Sequence, residues 1–140
     1  MEKLFTARAT AQGGRLGTVK SDDGTIDLAL SMPKSLGGQG LDNATNPEQL
    51  FAAGYASCFD SALNLVARQS RKRIESKVTA EVSLGKDTDG GFGLAVVLNV
   101  AVDGVSLEEA EELIKLAHGV CPYSKAIRGN IEVELKTSLI

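Results

Sequence analysis

Apolar and polar positions change period along the chain, and the changes mark its elements. Near the N-terminus the pattern predicts three short strands. Lys3–Thr10 alternates weakly, Arg15–Ser21 follows the turn residues Gln12-Gly13-Gly14, and Thr25–Ser31 follows Asp22-Asp23-Gly24. Asp-Gly between two strand-like runs is a strong hairpin signal. Met32–Thr45, with Pro33, Gly37, Gly38 and Gly40, reads as a long loop, and loops of that length are often functional. A helix is expected to start near Asn46. Thr45 and Asn46 are both good N-caps, Pro47 suits the first helical position, and Glu48 or Gln49 can close a capping box. From Leu50 to Val66 this helix is apolar on nearly every side, which predicts a central helix covered on most faces. The basic stretch Arg68–Arg73 then suits the negative end of its dipole.

Lys77–Lys86 alternates as a half-buried strand, Asp89-Gly90-Gly91 is a turn, and Phe92–Val102 reads as a longer, more apolar strand. Ser106-Leu107-Glu108-Glu109 is a capping box opening a second helix. Pro122 disfavours helical geometry at Cys121, so that helix is expected to stop by Val120. A short helical turn is expected over Pro122–Arg128, with Gly129 as its left-handed cap, and Ile131–Leu139 closes the chain as a strand. The order βββ-α-ββ-α-β predicts an α+β fold, a single domain over residues 1–140. One small sheet cannot cover a helix that is apolar all round, so a homodimer is the simplest source of the missing cover.

Composition narrows the functional classes. The chain has 140 residues, 43% hydrophobic and 24% charged, ordinary for a globular protein with its own core. Fifteen basic against eighteen acidic residues give a net charge of −3, which argues against non-specific nucleic-acid binding. The N-terminus has no apolar signal-peptide region, and the stretch Leu50–Ala67 is interrupted by Ser57, Asp60, Ser61 and Asn64. The expectation is a cytoplasmic protein that binds neither nucleic acid nor membrane. Thiols are kept reduced there, and a cysteine pair is more often catalytic or metal-binding than structural.

The two cysteines, Cys58 and Cys121, lie 63 residues apart, so no CxxC motif exists. Cys58 falls within the apolar helix, where it reads either as a small core hydrophobe or as a reactive thiol. Cys121 directly precedes a proline that can open a helical turn, where free backbone N–H groups favour a thiolate. A reactive cysteine needs a cation. Arg15, after Gly13-Gly14, is one candidate, although a lone turn arginine is usually just solvated. Glu48 is explained as a cap residue and could equally hold an arginine in place. His118, three residues before Cys121, reads as a favourable charge near a helix C-terminus. A zinc site from Cys58, Cys121 and His118 would lack a fourth ligand.

Two longer motifs take the reading further. Thr45–Phe59 (TNPEQLFAAGYASCF) resembles the first signature of the OsmC/Ohr family, and Val120–Asn130 (VCPYSKAIRGN) resembles its second. The tyrosine after Cys-Pro and the Arg-Gly-Asn ending resemble the organic hydroperoxide resistance (Ohr) branch. The Gly13-Gly14-Arg15 turn and the Pro33–Gly40 loop match as well. The resemblance implies an OsmC/Ohr-like fold and an intertwined homodimer with active sites at the subunit interface. It implies a thiol-dependent peroxidase, an oxidoreductase that reduces alkyl or fatty-acyl hydroperoxides. In that reading Cys58 is the peroxidatic cysteine, Cys121 the resolving one, Arg15 the cation stabilising thiolate and peroxide, and Glu48 its orienting partner. No cofactor or metal is bound; dihydrolipoamide or a lipoylated protein serves as the reducing co-substrate.

Helix geometry sets one condition on this site. Glu48 and Cys58 are ten residues apart, about 15 Å along a straight helix. A single arginine serving both predicts a break in the helix around Gly54–Ser57. The competing class is a non-enzymatic thiol sensor or small-molecule binder on the same fold, since fold does not determine function.

Overall fold

The computed structural model describes all residues, 1–140. The chain forms two compact units, Met1–Leu50 and Phe51–Ile140.

In the first unit, β1 (Ala9–Gln12), β2 (Thr18–Ser21), β3 (Asp27–Leu30) and β4 (Ala44–Thr45) form one sheet in that order. The β1–β2 and β2–β3 pairs are antiparallel, and β4 joins β3 in parallel. The expected Asp-Gly turn joins β2 to β3, with Gly24 at φ 77°. Three N-terminal expectations need correction. Met1–Arg8 is exposed and belongs to no element, so the weak alternation from Lys3 found no partner strand, and β1 begins only at Ala9. The first part of Arg15–Ser21 is a 3₁₀ turn, Gly14–Leu16, with extended chain only from Thr18. The Met32–Thr45 loop is not structureless: it contains a 3₁₀ turn, Lys34–Leu36, and ends in β4. A strand of two residues carries too little periodicity to be read from sequence.

Helix α1 (Pro47–Gln69) begins where its capping residues require. Asn46 Oδ1 accepts from the Gln49 backbone N–H at 2.7 Å, and the Gln49 side chain bonds the Thr45 hydroxyl. Glu48 is thereby left free of the cap. The helix runs unbroken for 23 residues, so the expected break at Gly54–Ser57 does not occur. Ser57 Oγ donates to the Ala53 carbonyl at 2.7 Å, a bond made within an intact helix. Glycine alone costs about 1 kcal/mol against alanine in a helix, too little to break one that is packed.

In the second unit, β5 (Glu75–Lys86), β6 (Phe92–Asp103) and β7 (Val133–Leu139) form a second sheet. The β5–β6 pair is antiparallel and β6–β7 is parallel. The parallel connection crosses through α2 (Leu107–Val120) and α3 (Pro122–Ile127), a single βαβ crossover inside an α+β chain. Ser106 and Glu109 make the expected capping box, and α2 stops at Val120 as Pro122 requires. The core joins Tyr55, Phe59, Leu63 and Val66 of α1 to Val96, Leu98, Val100 and Val102 of β6 and to Leu113, Ile114 and Ala117 of α2. By length and hydropathy α1 is apolar enough to cross a membrane, yet its buried stripe packs into this core. The opposite stripe, Ala53, Ser57, Ser61 and Leu65, is exposed. Within one chain the helix is covered on one face only, which leaves the other faces to the partner subunit that its composition led us to expect.

Candidate active site

Two pairs of side chains are the candidates for the chemistry. In the first unit, Gly13 and Gly14 take left-handed backbone (φ 81° and 58°) and turn the chain sharply into Arg15. Gly17 ends that turn against the Gln12 carbonyl, where a Cβ would sit 1.7 Å from the oxygen. The Arg15 guanidinium grips Glu48 with both of its terminal nitrogens, Nη1 to Oε2 at 2.8 Å and Nη2 to Oε1 at 2.6 Å. Such a two-point bond fixes the plane of the guanidinium as well as its position. Bonding to Arg15 holds the Glu48 carboxyl below its ordinary range, and bonding to Glu48 raises Arg15 in turn.

In the second unit, Cys58 of α1 and Cys121 between α2 and α3 bring their sulfurs to 3.7 Å. Both are free thiols. Cys58 is half-buried and Cys121 is fully buried. Cys121 is at once the C-cap of α2, its N–H bonding the Ala117 carbonyl, and the N-cap of α3, its carbonyl accepting from Lys125. Burial pushes the Cys58 thiol above its ordinary range; the Tyr123 backbone N–H opposes this, while the Cys121 thiol adds to it.

Three further residues of this unit were given no role in the site by sequence reasoning. Tyr55, fully buried, bonds Ser124 Oγ at 2.7 Å, and Ser124, also fully buried, bonds His118 Nδ1 at 2.9 Å. Tyr123 lies over Gly54, where an added Cβ would meet the Tyr123 hydroxyl at 2.8 Å. Tyr55, Phe51 and Tyr123 pack as an aromatic cluster, with Tyr55 and Tyr123 centroids 5.8 Å apart. One signal was available in the sequence. Tyr55 precedes Cys58 by three residues, which places both on one face of α1, and His118 and Ser124 each lie three residues from Cys121, on either side of it.

His118 differs from its expected role. Burial, and then the Arg128 charge, lower its pKa and so disfavour the cation expected at the helix end. No three His, Cys, Asp or Glu side chains converge as metal ligands.

The OsmC-like protein family matches residues 38–136 of this chain. The chain is 56% identical over 138 residues to the organic hydroperoxide resistance protein OhrA of Bacillus subtilis, covering 98% of each. Among solved structures, an organic hydroperoxide resistance protein from Elizabethkingia anophelis superposes with a TM-score of 0.94 at 53% identity, covering 100% of both chains. OhrB of Bacillus subtilis superposes with a TM-score of 0.89 at 48% identity, covering 97% of this chain and 100% of that one.

Proposed function

The chain belongs to the OsmC family, in its organic hydroperoxide resistance branch, and from that premise we propose that it is a peroxidase that reduces organic hydroperoxides through its two cysteines. The observation that carries the reading is the 3.7 Å approach of a half-buried and a fully buried thiol, across 63 residues of sequence. Cys58, the more accessible, attacks first. Its thiolate displaces alcohol from ROOH: the sulfur takes the distal oxygen, the O–O bond breaks, and the alkoxide leaves as ROH with a proton. The resulting sulfenic acid is attacked by Cys121, water leaves, and a Cys58–Cys121 disulfide remains. A dithiol then returns both sulfurs to thiols, and a lipoyl dithiol is the proposed donor. Phe51 and the exposed Tyr123, near the helix turn of Cys58, favour an alkyl or fatty-acyl hydroperoxide over hydrogen peroxide.

A thiol raised by burial needs a cation to ionise. Arg15, held in place by Glu48, has the permanent charge for that task. Because α1 is unbroken, Glu48 and Cys58 stay about 15 Å apart along its axis. The proposed assembly is therefore a homodimer in which the Arg15–Glu48 pair of one subunit serves the Cys58–Cys121 pair of the other. The exposed stripe of α1 supports a partner at that face. The proposed setting is the cytoplasm, where a thiol cycle can be recharged.

Turnover of cumene hydroperoxide with dihydrolipoamide tests the chemistry. Cys58→Ser is expected to abolish it. Cys121→Ser is expected to consume about one equivalent of peroxide and then stop, its sulfenic acid having no internal thiol. Wild-type turnover in Cys58→Ser would overturn the peroxidase reading in favour of a thiol sensor or binder.

A further inference from the structure

We propose that the buried chain Tyr55–Ser124–His118 positions Cys121 for closure onto Cys58. The proposal rests on the reading of Cys121 as the resolving thiol. Two rungs join α1 to the α2–α3 corner. One is the Cys58–Cys121 contact at 3.7 Å; the other is the Tyr55–Ser124 hydrogen bond at 2.7 Å. Tyr55 and Cys58 are three residues apart on α1, and Cys121 caps α3 three residues before Ser124 in its first turn, so the two rungs are neighbours on both sides. The polar rung therefore fixes how the corner sits on α1, and with it the approach of the sulfurs.

His118 sets the direction of that rung. Tyr55 and Ser124 each carry one O–H proton, and Tyr55 finds its hydrogen bond on Ser124 alone. If Nδ1 of His118 is unprotonated, Tyr55 donates to Ser124 and Ser124 donates to Nδ1, and both protons are used. If Nδ1 carried a proton, Ser124 Oγ would accept it, and one of the two hydroxyl protons, that of Tyr55 or that of Ser124, would be left unpaired in a fully buried site. The imidazole must therefore present Nδ1 as an acceptor, with its own proton on Nε2. Arg128 reinforces the arrangement by donating to the His118 backbone carbonyl at 2.6 Å. Tyr55, Ser124 and His118 are positioning residues: none bonds to either sulfur, and they act through the placement of α3.

Closure can be read without peroxide. With one equivalent of 4,4′-dithiodipyridine, the half-buried Cys58 thiolate attacks the reagent, forms a mixed disulfide and releases one thiopyridone. Cys121 then attacks the Cys58 sulfur and releases the second, so two thiols are oxidised as the reagent is reduced to two thiopyridones. Tyr55→Phe, Ser124→Ala and His118→Ala are expected to leave the first release unchanged and slow the second tenfold or more. His118→Asn, whose Oδ1 falls near the position of Nδ1, is expected to restore the second release to within about threefold of wild type. A second release as fast as wild type in Tyr55→Phe and Ser124→Ala overturns the proposal, as does equal slowing in His118→Asn and His118→Ala. Failure of the peroxidase reading shows separately, as loss of the Cys58 requirement in hydroperoxide turnover with closure intact.

Discussion

Glu48 shows how one side chain moves from a local task to a distant one. Asn46 satisfies the helix cap, so the carboxylate is free for the two-point bond to Arg15. Its pKa is depressed in the folded protein by that bond. The stability it contributes is therefore present above the ordinary carboxylate range and is lost as pH falls through the depressed value. Glu48→Gln is expected to cost about 1 kcal/mol at neutral pH, both partners being partly solvated. Urea titrations from pH 7 to pH 3 should show the wild-type advantage shrinking with acid; a constant difference would detach the bond from the titration. At this scale the motifs pointed to Cys58, Cys121, Arg15 and Glu48, because the chain has only two cysteines and the neighbours of all four residues are distinctive. Tyr55 and Ser124 stayed hidden: both read as ordinary filler, and nothing local joins residues 69 positions apart.

Helix α2 is the element most fully written in its own sequence. The Ser106–Glu109 capping box opens it, Pro122 ends it, and its buried face, Ala110, Leu113, Ile114 and Ala117, follows helical spacing. Glu109 also pairs with Lys72, which follows α1, so the cap doubles as a tie between the two helices. Ser106→Ala is expected to destabilise the protein by about 1 kcal/mol, read from the urea midpoint at unchanged slope. A shift below a few tenths would mean that Lys72 alone holds this end. The N-terminal strands were less legible for a physical reason. β1 to β4 are at most four residues long, and their largely exposed positions leave little alternation to read. The same limit applies to α1, whose all-round apolarity signals cover without saying whose. Expecting a break around Gly54–Ser57 asked one subunit to bring both Glu48 and Cys58 to a single arginine.

For the whole molecule, the unbroken α1 makes subunit exchange a direct test. Arg15→Ala and Cys58→Ser are each expected to be nearly inactive alone. Co-expressed, they should form mixed dimers in which one of two sites has both an intact Arg15 and an intact Cys58, recovering about a quarter of wild-type turnover. No recovery would assign Arg15 and Cys58 to the same subunit. The separation of the cysteines has a further effect, this time on the unfolded chain. A bond between residues 63 apart removes loop freedom from the denatured ensemble, worth about 4 kcal/mol in the chain-entropy account. The oxidised protein should therefore resist unfolding more than the reduced one. By the same thermodynamic cycle, the native fold favours the disulfide over the dithiol by that amount relative to the unfolded chain. In the proposed cycle, folding energy thus drives the cysteines toward closure within each turnover, and the proposed dithiol donor works against it to reopen them.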